Sequence, residues 1–230
     1  MSATGADTLW IIDPSMETPE DQGVALIAGL WQGATRLFRP ALAPGHGPDS
    51  STGYAMAGAV IMGSAASPHA AHPWLVDLSE WLRPVVRGAH VVPVFGICFG
   101  HQLIAHLAGA EVGFLHPDRL KRLGIEEMHQ HTASRLMESG LSSVFASHRE
   151  VVTTVPSGYR SLATRAGVSN DAFEHEHLPV FSVQYHPEAA GDFAARAGLC
   201  EADLAPEVRP QGDAILSAFM RICRESSAGR

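Results

Sequence analysis

Reactive chemistry concentrates in the stretch Val94-Phe-Gly-Ile-Cys-Phe-Gly-His-Gln102, where Cys98 is flanked by Gly96 and Gly100. This spacing is the cysteine form of a nucleophile elbow, a tight strand-to-helix turn that presents a nucleophile at its tip. The tip residue of such a turn sits in strained backbone, and glycines on either side remove the Cβ atoms that would block it. The thiol then lies at a helix N-terminus, whose dipole favours the thiolate. The Phe99 amide is left to donate to an oxyanion. A second stretch, Val183-Gln-Tyr-His-Pro-Glu188, places His186 and Glu188 two residues apart, on one face if the backbone is extended. The carboxylate can then hold one imidazole nitrogen while the other faces the thiol, fixing the tautomer and stabilising the imidazolium formed as Cys98 loses its proton. Each stretch alone has an ordinary reading, a core cysteine or a strand-end turn. Together they predict a Cys98–His186–Glu188 triad.

Elements of the right type surround these stretches. Thr8–Ile12, Ala59–Met62 and Val91–Ile97 are apolar runs of strand length, each stopped by a turn signal. Pro19-Glu20 opens a helix with Val24, Ile27, Trp31 and Phe38 on one face, and residues 40–52 form a loop. Pro73–Arg87 carries a helical stripe that includes Trp74 and Trp81, read as packing, with Pro84 ending or kinking it. A helix over Gly100–Leu107 stops at Gly109. Beyond residue 110, short strands are predicted at Glu150–Val155, Ser161–Ala166 and Pro179–Tyr185, then helices at Glu188–Ala197 and Asp213–Arg224. The alternation is that of an α/β fold, and no repeat or low-complexity linker divides residues 1–230, so a single domain is expected.

The composition narrows the function further. Of 230 residues, 46% are hydrophobic and 17% charged, and the formal charge of −8 argues against binding a phosphate backbone. Cys98, Cys200 and Cys223 form neither a disulfide framework nor a zinc pattern, which points to a reducing compartment. The Met1–Gly5 start carries no signal-peptide pattern and no apolar run is long enough to span a membrane, so a cytoplasmic protein is expected. His129 and His131, like His175 and His177, stand two apart with no obvious third ligand, and are read as solvated.

The sequences Gly-Ile-Cys-Phe-Gly-His-Gln and Gln-Tyr-His-Pro-Glu closely resemble the two signatures of the class I, triad-type glutamine amidotransferases, about 90 residues apart and in the same order. The resemblance runs from the first strand to about residue 190. It implies an open, mainly parallel sheet with helices on both faces, flavodoxin-like, with the cleft at the carboxyl edge. It also implies a γ-glutamyl thioester on Cys98 and release of ammonia or an amine, with no metal or organic cofactor. Gly63-Ser64 matches the family's oxyanion loop, which makes the Ser64 amide the second donor beside Phe99; Ala65 stands where the family has proline. Gly63 and Gln102 fall beside the substrate's γ-glutamyl end. Ser147-His148-Arg149-Glu150 resembles the family's Ser-His-Gly-Asp segment, whose backbone holds the amino-acid head, with Arg149 in place of glycine and Glu150 in place of aspartate. Three functions remain open from the sequence. They are a glutaminase feeding a synthetase, a self-sufficient γ-glutamyl amide hydrolase like the plant γ-glutamyl peptidases, and an idle binding or regulatory protein.

Overall fold

The computed structural model describes residues 5–204, 206 and 208–229; the Met1–Thr4 start read for a signal peptide lies outside them. Its frame is a nine-stranded sheet. Strands β1 (Leu9–Ile12), β2 (Thr35–Phe38), β3 (Gly58–Ile61), β4 (Val94–Ile97) and β11 (Val180–Val183) form a parallel core in the order β2-β1-β3-β4-β11. Strands β10 (Val168–His175), β9 (Tyr159–Arg165), β6 (Arg122–Gln130) and β7 (Gly140–His148) continue it, all antiparallel. A separate ribbon pairs β5 (Val112–Phe114) with β8 (Glu150–Val152).

Both faces of the parallel core are buried, so its strands read as continuous apolar runs. Alternate residues serve opposite faces. Leu9, Ile11, Val60, Phe95 and Ile97 pack under α1 (Asp21–Trp31) and α6 (Arg209–Ala228). Trp10, Ile12, Ala59, Ile61 and Val94 pack under α2 (Pro73–Val86) and α3 (Phe99–Leu107). Trp81 is fully buried and stacked on Trp10, while Trp74 is half-buried against Phe99.

Several expected boundaries move. The first helix does not reach Phe38: Gln32 adopts the left-handed conformation at φ 56°, and the Trp31 ring folds over Gly33, where a Cβ would lie 2.7 Å from its Nε1. Residues 35–38 form β2 instead, and Phe38 is buried from that strand. The helix expected from Glu188 begins at Gly191 as α4 (Gly191–Arg196), which leaves Glu188 in the turn before it, and the short α5 (Glu201–Leu204) follows. Helix α2 runs two residues past Pro84. Strands β5, β6, β7 and β10 have no counterpart among the expected elements. The apolar alternation of β10 is broken by the buried polar residues Asn170, Asp171 and Glu174, whose partners lie on the neighbouring β9 and on β8. No helix among the described residues is long and apolar enough to cross a membrane.

Candidate active site

Cys98 sits between β4 and α3 with φ 51° and ψ −97°, a strained conformation for a residue with a side chain. The turn closes so tightly that neither glycine can be replaced freely. A Cβ on Gly96 would lie 2.6 Å from the Gly100 carbonyl, and one on Gly100 would lie 2.3 Å from the Ile61 carbonyl oxygen. Parallel pairing of β4 with β11 sets Ile97 opposite Val183, and the Cys98 amide donates to the Val183 carbonyl at 2.8 Å. The two signature stretches therefore meet at one strand end.

His186 and Glu188 lie just beyond that end, in a turn. The ring nitrogen Nδ1 of His186 is 2.9 Å from Glu188 Oε1, and the two residues are 3% and 2% exposed. The other nitrogen, Nε2, is buried without a hydrogen-bond partner among the described residues, and the ring is electrostatically coupled to Cys98. Burial alone would drive this imidazole neutral. The Glu188 carboxylate and the Cys98 sulfur outweigh it and raise the pKa above its ordinary 6.5. The turn is clamped from α6, a support that no local sequence signal announces. Arg209 donates to the Pro187 carbonyl at 3.0 Å and the Ala189 carbonyl at 2.8 Å, and a Cβ on Gly212 would lie 2.3 Å from the Pro187 oxygen.

Gly63, Ser64, Cys98, Gln102, Ser147, His148, His186 and Glu188 all line one cleft of about 660 Å³. It opens at the carboxyl ends of β1, β3, β4 and β11, where open parallel sheets bind ligands. Gly63 must be a glycine, because a Cβ there would lie 2.7 Å from His186 Cε1. The Ser64 hydroxyl donates to the Pro14 carbonyl at 2.7 Å and accepts from the Ala66 amide at 3.1 Å. These bonds brace the loop where Ala65 replaces proline. The Phe99 side chain is in the core, but its amide belongs to the first turn of α3, where N–H groups have no intrahelical acceptor.

Further contacts surround the thiol. Cys98 Sγ is 3.7 Å from the Ser147 carbonyl oxygen, and the Gln184 side-chain amide donates to it at 3.6 Å. Sequence reasoning assigns Gln184 no role, although it stands inside the second signature. Gln102 Nε2 donates to the Glu150 carbonyl at 2.7 Å and to Gln184 Oε1 at 3.3 Å, so it also ties the 147–150 segment to the elbow. His148 accepts at Nε2 from Arg165, whose guanidinium also makes a buried two-bond pair with Asp171. Burial, reinforced by Arg165, lowers the His148 pKa to about 3. The ring is neutral, Nδ1 carries its proton, and that buried donor has no partner among the described residues.

Other histidines have structural partners. His101 bridges Ser182 and the Asn170 carbonyl and is held neutral by burial. His69 packs on His106 and His72 on Trp74. Among the described residues, no group of three or more metal-capable side chains converges.

A cysteine at a strand-to-helix elbow, beside a buried His–Glu pair at the carboxyl edge of a doubly wound sheet, defines an α/β protein with a Cys–His–Glu constellation. The class-I glutamine amidotransferase family matches residues 48–196, and the chain belongs to that family. Its relatives include the glutamine-hydrolysing GMP synthase subunit of Thermococcus kodakarensis, 37% identical over 99 residues, or 43% of this chain and 52% of that protein. The corresponding subunit of Methanosphaera stadtmanae is 30% identical over 139 residues, 57% of this chain and 61% of that protein. The chain thus spans about half the length of the curated relatives it matches. Among solved structures, a glutamine amidotransferase from Thermotoga maritima superposes with a TM-score of 0.70 at 14% identity, covering 98% of this chain and 99% of the other. One from Methylobacillus flagellatus gives 0.66 at 20% identity, covering 97% and 93%. These two likenesses bear on the fold.

Proposed function

We propose that this chain hydrolyses the side-chain amide of glutamine, or of a related γ-glutamyl amide, through a thioester on Cys98, and releases ammonia for a synthetase partner. The observation that carries the reading is the strained elbow cysteine set against a buried His186 that interacts electrostatically with it and whose Nε2 has no hydrogen-bond partner among the described residues. Cys98 Sγ adds to the γ-carbonyl carbon, and the amides of Phe99 and Ser64 hold the resulting oxyanion. The C–N bond then breaks as His186 protonates the nitrogen, and ammonia leaves. Water, deprotonated by His186, adds to the thioester; the C–S bond breaks, and glutamate departs. Glu188 keeps the Nδ1–H pointed away from the sulfur throughout. Gly63, Gln102, Ser147 and His148 hold the glutamyl end. No step needs a metal ion or an organic cofactor. A synthetase partner is supported by the relatives, which are named as GMP synthase subunits.

A second reading, a self-sufficient γ-glutamyl amide hydrolase, is favoured by the open cleft of about 660 Å³, whose mouth is lined by Phe114, Leu123 and Arg149. Turnover of the isolated protein on glutamine and on a bulky γ-glutamyl amide separates the two. Fast cleavage of the bulky amide with poor glutamine turnover selects the hydrolase. Weak glutamine turnover that rises with an added synthetase selects the glutaminase. For the nucleophile itself, a glutamine-like diazo-ketone should label Cys98 and spare Cys200 and Cys223, and Cys98→Ala should fold normally without turnover. An adduct mapped to either other cysteine, with Cys98 free, sinks the assignment.

A further inference from the structure

Gln184 is fully buried, follows the last residue of β11, and has no part in the thioester cycle set out above. Parallel pairing sets Ile97 opposite Val183, so the next residues along the two strands, Cys98 and Gln184, are neighbours. The backbone is already tied here without any side chain: the Cys98 amide donates to the Val183 carbonyl and the Gln184 amide to the Asp171 carbonyl, both at 2.8 Å. A buried primary amide must still find hydrogen-bond partners of its own, and one partner of this side chain is the nucleophile.

The orientation of the amide follows from the bonds that hold it. The Glu150 carbonyl can only accept, so Gln102 turns its Nε2 toward it at 2.7 Å and gives the second hydrogen of that nitrogen to Gln184 at 3.3 Å. The atom of Gln184 that meets this donor is therefore Oε1, which leaves Nε2 facing the Cys98 sulfur at 3.6 Å. The flipped amide would set two NH2 groups against each other and an oxygen against the sulfur. On another side the sulfur meets a group of opposite sense, the Ser147 carbonyl oxygen, which accepts from the thiol at 3.7 Å. Once the proton has gone to His186, that oxygen faces a negative sulfur with nothing to share. The thiol thus uses the Ser147 carbonyl, and the thiolate uses the Gln184 N–H.

We propose that Gln184 is a further catalytic residue, whose side-chain N–H stabilises the Cys98 thiolate when the thiol gives its proton to His186 and again when the thioester C–S bond breaks. In that second event the bonding electron pair returns to sulfur, the carbonyl carbon keeps the hydroxyl supplied by water, and the thiolate is left beside the imidazolium that took the water's proton. The inference rests on the cysteine-hydrolase chemistry proposed above. A bond to an ionised acceptor at this long sulfur distance corresponds to about a tenfold change in the ratio of thiolate to thiol. Losing the donor also has an effect of opposite sign, because a less stabilised thiolate is the better nucleophile. With a Brønsted coefficient of about 0.4–0.5, ten times the basicity is about threefold in reactivity.

The test is alkylation of the full chain by iodoacetamide against pH, with the adduct at Cys98 followed by mass mapping. Wild type is compared with Gln184→Met, which nearly keeps the volume and removes the donor. The variant should be about threefold slower at the acid end of the profile and about threefold faster at the alkaline end, so that the two curves cross. His186, with Glu188 behind it, and Lys121, one residue before β6, act electrostatically around the sulfur and are present in both proteins, so the crossing reports the amide. A uniform deficit at every pH marks a merely structural role and overturns the proposal, as do superimposable curves. In turnover, Gln184→Met should lower kcat and leave KM for glutamine little changed, since the amide touches the sulfur; a raised KM at unchanged kcat overturns the proposal. A second measurement needs no change at position 184. The side-chain amide resonance of Gln184 should follow the pH profile of alkylation in the wild type and lose that dependence in Cys98→Ala. A resonance indifferent to pH overturns the proposal, even if Gln184→Met does not fold. The parent reading fails separately: a wild type that releases no ammonia from any γ-glutamyl amide removes the hydrolase chemistry, whereas the alkylation profiles involve no substrate.

Discussion

Replacing Glu188 by glutamine keeps the side chain's shape and removes its charge. Both members of the His186–Glu188 pair are nearly solvent-free, at 3% and 2% exposure, and they meet at 2.9 Å. Breaking a buried pair of this kind costs about 3–5 kcal/mol. In the resting variant His186 escapes that cost by losing its proton, as burial favours. The cost returns when the imidazolium must form as Cys98 attacks. It therefore falls on the transition state, and at 1.36 kcal/mol per decade kcat should drop roughly 100- to 5,000-fold, the upper end being a bound because the introduced amide still offers a neutral acceptor. His186→Ala should lose more, having no base at all. Ammonia release at saturating glutamine measures both. Thermal unfolding against pH gives an independent reading. A His pKa raised in the folded state contributes stability that is fully present below the unfolded value of about 6.5 and is lost as pH rises through the folded value. The wild type should thus be more stable than Glu188→Gln near pH 6, with the gap closing as the solution becomes alkaline. A kcat within about threefold of wild type, or coincident pH–stability curves, would refute the reasoning.

Two other substitutions follow from the geometry. Gln102→Ala should raise KM more than it lowers kcat, because Gln102 holds the 147–150 segment through the Glu150 carbonyl; a pure kcat loss with unchanged KM would place it in the transition state. Gly100→Ala drives a methyl to 2.3 Å from the Ile61 carbonyl oxygen, where no flexible side chain can yield. A loss of about 1–3 kcal/mol is expected, a Tm lower by several degrees, together with reduced turnover as the elbow moves off β3; unchanged Tm and rate would show that the turn has slack.

Much of this protein is legible in one dimension because its governing constraints are local. A parallel strand buried on both faces must be apolar throughout, so β1, β3, β4 and β11 stand out as short hydrophobic runs. The elbow carries glycine on both flanks, Gly96 because the turn closes on Gly100 and Gly100 because the turn lies against β3, which makes Cys98 conspicuous by spacing alone. His186 and Glu188 are two residues apart, so their pairing is legible as a spacing, although the turn that brings them together is held from α6. What lies beyond the sequence is every feature decided by partners far apart along it. The antiparallel strands β7 and β10 bury polar side chains, His148 and Asp171 among them, that meet Arg165 on β9, so their hydrophobic alternation is broken. Gln184 reaches the thiol only because β4 and β11 are neighbours in the sheet. Arg209 reaches the His-Pro-Glu turn from a helix 22 residues on, and Lys121 stands beside Arg149 only through the β6–β7 register. Backbone strain and hydrophobic period are written into neighbouring residues, whereas charge pairing and cleft lining depend on which strand ends the fold brings together.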